Sequence, residues 1–226
     1  MHRELLAARR DRTRTINRIK GLMATQGLDL ELRPGFEAAL KRTLLWDGLP
    51  IPDQLGMRLA REWQRWLWQK QQVRLVEAQR NRLFRDSDDP AIEKVRQLYG
   101  LCGIGIESAW LFVMEFFAWR EFTHRRQVGS LAGLTPTPFQ SGDVRREQGI
   151  AKAGNPNLRW MAIEIAWSWL RHQPESALTQ WYNAKFGSGS SRIRRIGIVA
   201  LARRLLIELW RYLETGALPE GAQTKS

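Results

Sequence analysis

The strongest case for chemistry lies between Gly133 and Arg159. Pro136 and Pro138 hold the backbone extended there, and Ser141-Gly142 then presents a small hydroxyl in a loop. Four cations follow: Arg145, Arg146, Lys152 and Arg159. Asn155-Pro156 reads as the N-cap and first residue of a helix running to about Arg171, with Trp160, Ile163, Trp167 and Leu170 as its buried stripe. A hydroxyl, cations and helix amides suit attack on a phosphodiester, because the negative charge developing on the phosphate is neutralised without a metal. The same residues also describe a turn serine beside a phosphate-binding patch. No histidine falls in the segment to complete a hydrolase triad.

Two other stretches could hold phosphates. Gly103-Ile104-Gly105, with Ala109 following, has the form of a helix–hairpin–helix turn, in which glycines at positive φ bring helix amides up to a DNA backbone. The alternative is a tight turn between packed helices. Further on, a glycine-serine loop from Gly187 to Ser191 leads into Arg192, Arg194 and Arg195. It could close over a nucleic acid backbone or serve as a solvated linker. The acidic group Asp86, Asp88 and Asp89 reads as capping chemistry, since Asp89-Pro90 places a carboxylate before a proline at the first helical position. With His2, His124 and His172 scattered and Cys102 the only cysteine, no metal site is expected in this chain.

The charge balance narrows the partner. A formal charge of +13 comes from 29 Arg and 7 Lys against 23 acids. Solubility needs no such excess of one sign; a polyanion does, and the planar arginine fork grips phosphate oxygens in pairs. A bias toward arginine codons would produce part of the same excess. The opening Met1-His2-Arg3-Glu4-Leu5-Leu6 lacks the apolar run of a signal peptide, and the apolar stretch over 109–119 is too short to span a bilayer and contains Glu115. No membrane partner and a cytoplasmic location are therefore expected.

The elements that must position these residues are mainly helices, so the predicted class is all-α. A helix over 3–26 carries Leu5, Ile16, Ile19 and Met23 among many arginines, and a short one spans Phe36 to Leu45. Asp53 is expected to cap a long helix to about Arg85. Its seam is Leu55, Leu59, Trp66, Val73, Val76 and Leu83, interrupted by Glu62, Gln69 and Arg80. An antiparallel helical hairpin or a dimeric coiled coil would both explain that seam, and packing accounts for Trp63, Trp66 and Trp68. The expected organisation is a helical connecting region over 1–90, a compact helical domain over 91–214 and a disordered tail over 215–226.

Taken in order, Gly103-Ile104-Gly105 with Ala109, Gly133-Leu134-Thr135-Pro136 with Ser141-Gly142, and Lys152-Ala153-Gly154-Asn155 with Leu158-Arg159 resemble the C-terminal domain of insertion-sequence transposases of the one-sixteen/one-ten type. The likeness continues through Arg194 to Ala202, and upstream Asn17 to Leu22 resembles the start of that family's connecting helices. The resemblance implies DNA transposition, with DNA and a structured guide RNA as partners and self-association through the helical region. It places Ser141 at the position of a serine nucleophile. It also implies that magnesium belongs to a separate acidic N-terminal domain, so this chain alone is expected to be incomplete as an enzyme. Ala151 stands where the family pattern has a serine, which removes a hydroxyl beside Lys152.

Overall fold

The computed structural model describes residues 1–141 and 144–225, without the side chains of 137–148. The fold is mainly helical, as expected, and divides into two compact units, residues 1–86 and from Ser87 onward.

In the first unit α1 (His2–Ala24) lies antiparallel along α3 (Asp53–Asp86), with the short α2 (Phe36–Arg42) beside them. Ion pairs fix the direction: Arg9 meets Glu77 near one end and Arg18 grips both carboxylate oxygens of Glu62, at 3.0 and 2.9 Å, near the other. One polar interruption of the α3 seam, Glu62, is therefore met from α1, and it lies buried beside Leu59 and Trp63. An intramolecular helical hairpin thus occupies the seam. Trp63 is buried and stacks on Trp66, whereas Trp68, expected to pack, is 61% exposed. At 100° per residue, Trp68 points roughly opposite to Trp66 and has no place in the same core.

The second unit begins with α4 (Pro90–Tyr99), whose N-cap Asp89 accepts the Ala91 amide at 2.7 Å. α5 (Ile106–Phe112) runs into a π-helical turn over Val113–Phe117, followed by α6 (Arg125–Leu131). A two-stranded antiparallel ribbon comes next, β1 (Pro136–Ser141) and β2 (Val144–Ile150). Then come α7 (Pro156–His172), α8 (Ala177–Tyr182) and α9 (Ser191–Thr215), with α7 packed on α9. The ribbon replaces the loop expected around Ser141. Each of its strands has a free side, which tolerates Pro136 and Pro138, and a bulge lies between those two positions.

Two further expectations are corrected. The buried face of α7 is Leu158, Ala162, Ile165, Ala166 and Trp169, while Trp160 and Trp167 are 57% and 44% exposed. Apolar residues occur nearly all round this helix, so 3.6-residue spacing fits either stripe and does not choose between them. The chain after α9 is also not a disordered tail. Gly216, at φ +73°, ends the helix, and the following residues turn back over α4, α7 and α8. The fully buried Gln173 side chain donates to the carbonyls of Cys102 and Gln223 at 2.9 and 2.8 Å and accepts the Gln223 amide at 2.7 Å. Backbone bonds from Cys102 to Gln223 and from Lys225 to Gly100 complete the strap. Small polar residues suggested fraying, but the bonds that hold them come from residues distant in sequence.

Candidate nucleic-acid interface

Two glycines set the root of the ribbon. Gly133, at φ +68°, ends α6, and its amide donates to Ser130. A Cβ at Gly133 would stand 1.9 Å from the Ala153 carbonyl oxygen, and one at Gly154 would stand 2.3 Å from that of Leu131. Two backbone segments thus touch where only glycine fits on each side. The Ala151 amide donates to Thr135 at 2.9 Å and that of Lys152 to Gly133 at 3.3 Å. The Arg159 guanidinium donates to the Ala153 carbonyl at 3.2 Å. Asn155 caps α7, its Oδ1 accepting the Asn157 and Leu158 amides at 2.9 and 3.4 Å. Its Nδ2 donates to Glu115, buried on the π-helical turn, at 2.9 Å. The spacing from Gly133 to Arg159 is therefore the signature of one closure, which fastens the ribbon to the helical body.

Beside that closure opens a cleft of about 970 Å³, walled by the start of α6, the ribbon root and one face of α9. Among the described residues eight cationic side chains line it against a single carboxylate, Glu208, which Arg211 already holds at 3.0 Å. Arg192, Arg195, Arg203 and Arg211 recur along α9, a reach of about 28 Å at 1.5 Å per residue. Arg203 crosses α6 where Gly129 leaves room: a Cβ there would come within 2.7 Å of its Nε. Ile196, Val199 and Ile207 fill the floor between the arginines. Such crowding of like charge raises the local potential and attracts a polyanion.

The predicted residues sort as follows. Lys152, in a left-handed conformation at φ +54°, lines the cleft with Arg192 and Arg195. Arg194 is not among the lining residues; its carbonyl accepts the Tyr182 hydroxyl at 3.2 Å. Burial raises the Tyr182 phenol above its ordinary value, and Arg194 works against the rise. Asn155 and Arg159 serve the closure. Ser141, Arg145 and Arg146 have their backbones on the ribbon, where Ser141 pairs with Val144 and Gln140 with Arg145; their side chains lie outside the described residues. Arg125, Arg126, Arg203, Arg204 and Arg211 were missed. The recurrence of Arg192, Arg195, Arg203 and Arg211 on one helical face was the available signal.

The Gly103 turn is built into the body. Gly103, at φ +84°, packs against α7, where a Cβ would lie 3.3 Å from the His172 Cβ, and the Ser168 hydroxyl donates to its carbonyl at 2.8 Å. Gly105 is exposed and caps α5. The glue-like role of the turn includes Lys225, whose ammonium donates to the Ile104 carbonyl at 2.7 Å.

Residues 95–181 match the family described as Transposase IS116/IS110/IS902. Over that segment the chain is similar to the transposase domain of that family. Across 99% of its length it is 40% identical to a Sinorhizobium fredii protein described as transposase y4rJ, covering 59% of that protein. It is also 24% identical, over 93% of its length, to the transposase of insertion sequence element IS1328 from Yersinia enterocolitica, covering 60% of it. A Pseudomonas aeruginosa protein described as a family 20 transposase is 28% identical over 94% of the chain, of which the chain covers 62%. The chain thus spans about three fifths of the length of these relatives. The matched segment runs from α4 through α8 and takes in the ribbon and its glycine closure, while the arginine row of α9 lies beyond it.

Proposed function

We propose that this chain is the DNA-handling part of an insertion-sequence transposase, acting in the cytoplasm on DNA held along the α9 cleft. The observation that carries the proposal is the cleft itself, with eight cations against one already-paired acid among the described residues, at the root of the ribbon that bears Ser141. In this reading Ser141 is the nucleophile. Its Oγ bonds to a DNA phosphorus as the bond from phosphorus to one deoxyribose oxygen breaks, and the hydroxyl proton ends on that oxygen. The energy of the broken ester is kept in the new one, so rejoining is the reverse reaction with another DNA end. The cations neutralise charge that grows on the phosphate oxygens. Arg145 and Arg146, close to Ser141 in the ribbon, belong to the same role.

A guide RNA is a second polyanion that the basic surface can hold, and self-association would use the first unit. There α3 exposes Trp68 and Leu75, 61% and 55% open and two helical turns apart on one face. Magnesium does not fit the side chains at hand: among the described residues no three acidic, histidine or cysteine side chains gather, and Asp89 is occupied as a cap. No step is routed through it.

The test supplies the chain with an acidic magnesium-binding domain from a relative, a cognate RNA and labelled DNA. A DNA adduct that survives denaturation is expected with wild type and absent with Ser141→Ala, while DNA affinity changes less than about threefold. An adduct persisting in Ser141→Ala refutes the nucleophile. Loss of binding along with the adduct would instead make Ser141 a binding residue.

A further inference from the structure

The α9 cleft differs from a simple phosphate track in having an apolar floor. Ile196 is 58% exposed within it, between Arg192 and Arg195 on one side and Val199 on the other. Cations alone would serve a duplex, whose outer surface offers phosphate and sugar while its bases are stacked inside. An open aliphatic floor gains only if an apolar ligand face covers it. One end of the cleft also carries a planar pair. The Arg204 guanidinium lies 3.9 Å from the centroid of the Trp181 ring, and Arg204 is exposed to solvent. A guanidinium seated over an indole offers a planar group on which a nucleobase can stack, and stacking of this kind is open only to unpaired bases.

From this combination we infer that the cleft is a site for an unpaired nucleic acid strand. The strand's phosphates lie along Arg192, Arg195 and Arg203, and its bases turn toward Ile196 and the Arg204–Trp181 platform. The cleft's volume of about 970 Å³ is of the size of a small-molecule site, which suits a few unstacked nucleotide groups. The inference rests on the nucleic-acid reading of the cleft and adds the form of the strand.

Fluorescence anisotropy on the full chain tests it, with a labelled oligothymidylate of about twelve nucleotides and the same strand paired with oligoadenylate. The single strand is expected to bind about tenfold more tightly at matched salt, and stacking losses of the usual size make severalfold changes readable. Arg204→Lys keeps the charge and removes the plane, and Ile196→Ser removes the floor at an exposed position. Each should weaken single-strand binding several-fold, leave duplex binding unchanged and keep the salt slope. Equal affinity for both forms, or equal losses on both in these variants, overturns the inference while leaving the cleft a nucleic-acid site. Absence of any salt-dependent binding overturns the nucleic-acid reading beneath it as well.

Discussion

Replacing Gly133 with alanine is the sharpest perturbation of the ribbon's root. The residue sits at φ +68°, where an L side chain costs about 1–2 kcal/mol. Its Cβ would meet the Ala153 carbonyl oxygen at 1.9 Å, a backbone atom that no rotamer change can move. Relief requires parting the two segments, which sacrifices the Lys152-to-Gly133 bond and strains the Ala151-to-Thr135 bond beside it. At about 1 kcal/mol each, these bring the expected local cost to about 3–4 kcal/mol. Gly149 is the matched control, since it has φ +64° on the same ribbon but nothing within 4 Å of its would-be Cβ. Gly149→Ala should therefore cost only the conformational part, about 1–2 kcal/mol. Amide hydrogen exchange at Ala151 and Lys152 reads the closure directly and should accelerate by a factor on the order of a hundred or more in Gly133→Ala. If the two variants exchange alike, the closure is not held by steric exclusion and this account of the glycine spacing fails.

Other consequences follow from the same body. Asn155→Ala should destabilise the second unit by about 2–3 kcal/mol, because it removes a helix cap and one donor to buried Glu115. Asn155→Ser, which restores the cap alone, should recover about 1 kcal/mol in urea denaturation, and no recovery would deny the capping role. Gln173→Ala removes three hydrogen bonds of a fully buried side chain, so exchange at Cys102 and Lys225 should quicken as the strap loosens; unchanged protection there would contradict the strap. Burial raises the Tyr182 and Tyr212 phenols above 10.0. Below about pH 10 both are neutral, folded or unfolded; above it the unfolded chain ionises first, so stability should fall as pH rises. Burial lowers Lys225, which acts in the opposite sense as it approaches its ordinary 10.5. Thermal melts of Tyr182→Phe should consequently show a shallower alkaline decline than wild type, and an identical decline would remove Tyr182 from the account.

Much of this was legible before the fold was known, and the failures have physical causes. Caps such as Asp89 and Asn155 are local chemistry, so sequence displays them directly. The α3 seam was visible as a pattern, but whether another chain or α1 would fill it depended on the charges of Arg9 and Arg18 meeting Glu77 and Glu62 across a long sequence separation. Gly133 and Gly154 each stood in a motif without any link between them, since a close approach of two backbones leaves no trace in either segment alone. The ribbon was hidden by its prolines and lacks alternating apolar residues. Around Ser141 the sequence proposed a cationic loop; among the described residues the cations that line the cleft are mostly on α6 and α9. Those arginines read as scattered charge until one helix face gathers them.

The central claim, that nucleic acid lies in the α9 cleft, is best tested by charge reversal at matched net charge. Arg195→Glu with Arg203→Glu alters the cleft, whereas Arg171→Glu with Lys185→Glu makes the same change in charge at exposed positions outside it. DNA affinity measured across a salt series should drop at least tenfold in the first pair, with a salt slope reduced by about two, and should change little in the second. Equal losses in both pairs would mean that overall charge, and not the cleft, draws the nucleic acid, and would contradict the account.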